Sequence, residues 1–87
     1  MSMCGADVGQ LRALCDRLEM VASDLERTGK VLSQDITTTT QWQGPDAGGF
    51  RGDWSGTHYP RITAAAAALR TAARAVRANA DQQEGAS

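Results

Sequence analysis

Gln41-Trp42-Gln43-Gly44-Pro45-Asp46 reads as a tight turn between two helices. Gly44 is free to take a positive φ and end a first helix. Pro45 has a preset φ and no N–H to lose, which suits the first position of a second helix. Asp46 then meets the positive end of that helix's dipole. On the N-terminal side, Val8, Leu11, Leu14, Leu18, Val21, Leu25, Leu32 and Ile36 recur at steps of three, four or seven, with Asp, Glu, Arg and Lys between them. That period predicts an amphipathic helix over about 7–41. Thr37 to Thr40 are weak helix formers, so fraying is expected near Gln41. On the C-terminal side, Phe50, Trp54, Ile62, Leu69 and Val76 stand among alanines and predict a second helix over about 46–80. Gly48, Gly49, Gly52, Gly56 and Pro60 weaken its first third, so a kink or restart is expected near Pro60. The polar run 81–87 reads as a disordered tail.

The two halves match as an antiparallel hairpin. Both helices rise equally per residue, so facing positions keep a constant sum of residue numbers. A turn at 43–44 sets that sum near 87. Leu11 with Val76, Leu18 with Leu69 and Leu25 with Ile62 meet it, as do Leu14 with Ala73 and Val21 with Ala66. Leu32 with Trp54 and Ile36 with Phe50 miss it by one. These large residues are therefore the expected core of the hairpin or of its dimer. Cys15, Ala22 and Gly29, with Ala65, Ala68, Ala72 and Ala75, are expected on outer flanks. A second hairpin covering those flanks would make a four-helix bundle. The expected class is thus all-α: a helix-turn-helix hairpin, one domain over 1–87, that dimerises.

The size supports an assembly. A chain of 87 residues and 9.2 kDa is marginal as a lone core. Nine Lys and Arg against ten Asp and Glu leave a net charge of −1, which disfavours general nucleic-acid binding. The alanine run 64–68 falls far short of the roughly 20 apolar residues that span a bilayer. Met1 to Gln10 has neither the basic nor the apolar region of a cleaved signal peptide. Cys4 and Cys15 would lie roughly 16 Å apart on one helix, too far for a disulfide, and read as free thiols. His58 has no His or Cys at metal-ligand spacing, and no base–nucleophile pair is legible. No catalytic residue, metal or cofactor is expected. Asp16 and Glu19 read as a solvated face, and Arg51-Gly52-Asp53 as a chance tripeptide inside a helix. Arg70, Arg74 and Arg77 form a stripe expected to pair with the acidic first helix, Arg70 near Asp16 and Arg61 near Asp24 and Glu26.

A helical hairpin of this length with Trp42-Gln43-Gly44 in its turn, followed by Asp46-Ala47, Phe50-Arg51 and Trp54, and closing on Asn79-Ala80 with Gln82 or Gln83, resembles the WXG100, or ESAT-6-like, proteins of type VII secretion. The resemblance spans nearly the whole chain. It implies a hairpin that pairs with itself or with a WXG100 paralogue, and recognition by the type VII secretion ATPase. It also implies export without a cleaved signal peptide after synthesis in the cytoplasm. In that family the turn tryptophan, here Trp42, belongs to the recognised surface, with Gly44 as the turn residue. The family's Y-x-x-x-D/E export signal is absent: Arg77 precedes Asp81 by four, and Ala80 precedes Glu84 by four. A heterodimeric partner would then supply it, or the chain would be retained.

The expected function is therefore a non-enzymatic secretion-associated interaction protein. A structural dimerisation adaptor, or a chaperone-like partner of a larger secreted effector, is the alternative. A small helical regulator binding nucleic acid through the Arg stripe is the third.

Overall fold

The computed structural model describes residues 7–39 and 42–86. Cys4, the fraying expected near Gln41 and the last residue of the tail lie outside them. Among the described residues the protein is all-α, with no strand. Helix α1 spans Val8–Thr38 and α2 spans Pro45–Asp53; a single π turn, Trp54–His58, leads into α3, Tyr59–Ala86. Helix α1 packs antiparallel on α3 in a rod 63 Å long and 17 by 16 Å across. Its length is that of one unbroken helix of roughly 42 residues at 1.5 Å each, so the chain from Pro45 to Ala86 forms a single column.

The ends of the elements follow from local chemistry. Asp7 caps α1 by accepting the Gly9 N–H at 2.9 Å, as short acidic side chains do at helix starts. The helix stops at Thr38, not near 41. The hydroxyls of Thr37, Thr38 and Thr39 donate back to the carbonyls of Ser33, Gln34 and Asp35, a pattern that weakens and bends a helix. Gly44 has φ 109° and ψ 176°, a region essentially restricted to glycine. It caps the start of α2, accepting the Gly48 N–H at 3.0 Å, rather than ending α1. Pro45 is thus already helical and does not belong to the turn.

The helix does not break at Pro60. Proline lacks an N–H, and in a regular α-helix its ring presses on the carbonyl four residues back. The strain is absorbed one residue earlier, where the Tyr59 N–H reaches the Trp54 carbonyl, five back. This wider turn also resets the helix phase. From Ala47 to Tyr59 is a step of twelve, which at 3.6 residues per turn overshoots by about 120°. A π turn advances less per residue and returns Ala47 toward the side shared by Ala66, Ala73 and Ala80. All four are completely buried.

The tail expected beyond Ala80 is helical through Ala86. It has a partner: Arg12 on α1 binds Asp81 at 2.9 Å and also Glu84.

The seam between the helices is made of small residues, which corrects the leucine seam expected from the sequence. Cys15 and Ala22 are 1% and 0% exposed and Gly29 is buried; Cys15 meets Ala73 and Gly29 meets Tyr59, a register that sets Ala22 opposite Ala66. The Cys15 Sγ lies 3.1 Å from the Ala73 carbonyl oxygen, to which its thiol donates. A Cβ added at Gly29 would sit 3.1 Å from Tyr59 Cε1 and 3.3 Å from Ile62 Cγ2. Cys15 with Ala73, Ala22 with Ala66 and Gly29 with Tyr59 have number sums of 88. The antiparallel register thus lies within one residue of the sequence estimate, while each helix is rotated about its own axis. Small side chains let the backbones come close, and the dispersion gained by that approach replaces leucine interdigitation.

Rotation places the leucines beside the seam. Leu14, Val21 and Leu32 are 45%, 43% and 41% exposed. Leu11, Leu18, Leu25, Ile36, Trp54, Ile62, Leu69 and Val76 are half-buried.

Because the seam has no spare volume, Ala22→Leu should destabilise the protein by about 1–3 kcal/mol, as overpacking does. Urea unfolding followed by circular dichroism measures this. An unchanged or raised midpoint would show that Ala22 faces outward.

Candidate interaction site

The rod has two unlike flanks, and a heptad rule generates both. Val8, Cys15, Ala22 and Gly29 on α1, and Tyr59, Ala66, Ala73 and Ala80 on α3, run at steps of seven. Three residues after the seam positions, the side chain falls on one flank of the rod: Leu11, Leu18, Leu25 and Leu32, with Ile62, Leu69, Val76 and, last, the polar Gln83. Four residues after, it falls on the other: Arg12, Glu19 and Glu26, with Arg70, Arg77 and Glu84.

The polar flank is closed by ion pairs. Arg77 bonds Glu19 at 2.5 Å and Arg70 bonds Glu26 at 2.7 Å, while Arg12 holds Asp81 and Glu84. Side chains on a helix lean toward its N-terminus. In an antiparallel pair, residues lying four positions after facing seam residues therefore lean toward each other. That is why Arg70 meets Glu26 across the Ala22–Ala66 layer instead of reaching Asp16. Asp24 is taken by Arg27 on its own helix at 2.6 Å. Arg74 donates to the Thr71 hydroxyl at 3.2 Å. Two cations of the Arg stripe are thus engaged within the hairpin.

The apolar flank carries no such closure. Leu14 and Val21, each one residue before a seam position, extend it outward beside Leu18 and Leu25. Val31 and Met20, 49% and 58% exposed, lie farther round α1.

The turn end of the rod presents aromatic rings. Trp42 and Phe50 are each 40% exposed and contact one another at 5.3 Å between centroids, tilted by 49°. Arg51 lies beside Trp42. Its Nε donates to the Ile36 carbonyl at 3.2 Å, and one terminal nitrogen donates to the Thr39 and Trp42 carbonyls at 2.9 and 2.7 Å. Its guanidinium carbon lies 5.7 Å from the Trp42 ring centroid, within cation–π range. No basic residue occupies the last turn of α1, where unpaired carbonyls and the negative dipole end favour a cation. Arg51 supplies it from α2. Sequence reading passed over this role, although the missing cation in α1 and an arginine just past the turn were both visible. Trp54 is half-buried and anchored to α1: its indole N–H donates to Ser33 Oγ at 2.8 Å and its ring stacks on Tyr59.

The remaining candidates lie apart from this surface. Arg51-Gly52-Asp53 is helical within α2, and Arg51 is occupied by the turn. His58 is exposed in the π turn. Among the described residues, no cluster of three His, Cys, Asp or Glu side chains is placed to hold a metal. No helix there is long and apolar enough to cross a membrane.

No family model, no curated protein and no solved structure matches this chain.

The ion pairs set a pH dependence. The hydrogen bond from Arg70 holds the Glu26 carboxyl below the usual glutamate value, against a smaller opposing effect of desolvation. A carboxylate whose pKa falls on folding stabilises the fold above its unfolded pKa, and that contribution is lost as pH falls through the folded value. The melting temperature should therefore hold from pH 7 down to about 5 and drop below the ordinary carboxylate range. Glu26→Gln should flatten part of that drop. A variant with the wild-type acid profile would show that the pair does not form in solution.

Proposed function

We propose that this chain is a non-enzymatic interaction protein that dimerises into an antiparallel four-helix bundle and acts in type VII secretion as a WXG100-like substrate or partner. The observation that carries the reading is the asymmetry of the rod, ion-paired on one flank and apolar on the other. A strip of Leu14, Leu18, Val21, Leu25 and Leu32 beside Ile62, Leu69 and Val76 costs free energy while it faces water, at about 25 cal/mol per Å². A second hairpin laid along it would bury that strip as the core of a bundle. The occupant is a second copy or a paralogue with the same flank. Such a dimer leaves Trp42 and Phe50 uncovered at the rod end, where the WXG100 resemblance places recognition by the export ATPase. It also leaves the flank of Cys15, Ala22 and Gly29 out of the interface, since the hairpin has already used it.

Sedimentation equilibrium tests the assembly. The wild-type chain, or its complex with a co-expressed paralogue, should have a mass near 18 kDa, twice the 9.2 kDa chain. Val21→Glu should shift it to monomer while helicity is largely kept. A folded 9 kDa wild-type monomer at all concentrations, with no paralogue partner, would contradict the reading.

Export is tested through the turn. Trp42→Ala should reduce secretion while changing stability by about 1 kcal/mol or less, as a substitution at an exposed site does. Gly44→Ala should instead cost about 1–3 kcal/mol, because alanine is strained at this φ and ψ. Normal export of the Trp42→Ala protein would remove the recognition role.

A further inference from the structure

Arg51 binds three carbonyls that belong to two different parts of the chain. Ile36 and Thr39 are at the end of α1, and Trp42 is in the turn beyond it. The same guanidinium lies over the indole of Trp42, and that ring also contacts Phe50, the residue preceding Arg51. The backbone of Trp42 is therefore tied to the helix end, and its ring contacts both a cation and a second aromatic ring. Gly44 beyond it has open space around it and adds no side-chain restraint. Arg51 is half-buried; its bond to Ile36 is partly shielded from water, while those to Thr39 and Trp42 are exposed.

We infer that Arg51 is a positioning residue: it fixes the Trp42 indole as a preformed platform at the rod end, so that a partner meets an ordered ring. The inference rests on the reading of Trp42 as the recognised side chain. A ring ordered before binding loses little freedom when engaged, which favours affinity. Lysine cannot replace this arginine. An ammonium keeps the charge but has no planar fork to reach a helix end and a turn carbonyl together.

The experiment uses the full chain labelled with 5-fluorotryptophan and read by fluorine NMR. A Trp54→Phe variant assigns the two resonances. Wild-type protein should give a Trp42 resonance displaced from the free amino acid. In Arg51→Ala and Arg51→Lys, that resonance should move to the unfolded-peptide position and narrow, with the Trp54 resonance unchanged as proof that the rod is folded. If Arg51→Ala loses the rod, Arg51→Lys, which keeps the helix-end charge, carries the test alone. A Trp42 resonance unchanged in a folded Arg51→Lys protein would overturn the inference, and so would a wild-type Trp42 resonance already at the unfolded position. Secretion of the same variants separates this inference from the reading beneath it. Released Trp42 in Arg51→Lys together with normal export of Trp42→Ala would keep the positioning role and defeat recognition. Blocked export of Trp42→Ala with an undisturbed ring in Arg51→Lys would do the reverse.

Discussion

Close approach of two helices along a row of small residues is the constraint on which the rest of this structure depends. Cys15, Ala22 and Gly29 are buried against the second helix, and a Cβ at Gly29 would already crowd Tyr59 and Ile62. Once those positions face inward, helical geometry fixes what lies three and four residues on. Leucines fall to one side and charges to the other, on both helices at once. The ion pairs and the exposed apolar strip are consequences of one rotational choice.

That choice also explains the irregular stretch between α2 and α3. A regular helix could not keep both Ala47 and Tyr59 at the seam. The π turn at Trp54–His58 corrects the phase and relieves Pro60 in the same five residues. Glycines around it, which look unfavourable on propensity, let the backbone take the wider turn. At the turn end, Arg51 does for α1 what a terminal lysine or arginine in the helix would ordinarily do, and couples that task to Trp42.

Much of the fold was legible in the sequence, and the missing part has a specific cause. Trp42 to Asp46 marked the turn, and matching the two apolar stripes placed the register within one residue of the observed one. The buried face differs from the expected one because hydrophobicity does not by itself set depth. Leucine stripes ordinarily mark the buried side of a helix, but a parallel row of Ala, Gly and Cys permits a closer contact that leaves leucines at the edge. Cys15, Ala22 and Gly29 recur every seven residues, but their small size makes that row look like an outer flank beside the leucines. The end of α3 beyond Ala80 is polar in composition and so reads as a tail. Only the position of Arg12 on the facing helix reveals what Asp81 and Glu84 bind. At the candidate site, the exposure of Trp42 followed from its place in the turn, whereas the triple contact of Arg51 depends on how α1 ends and could not be read from spacing.

The account turns on which contacts lie within one chain and which lie between two. Isotope-filtered methyl NOE spectroscopy on a mixture of labelled and unlabelled chains measures that directly. The account predicts that contacts between Ala22 and Ala66 arise only within a chain, and that contacts of the Leu14 and Val21 methyls arise across chains. Interchain contacts at Ala22 and Ala66, with Leu14 and Val21 in contact only with their own second helix, would contradict it.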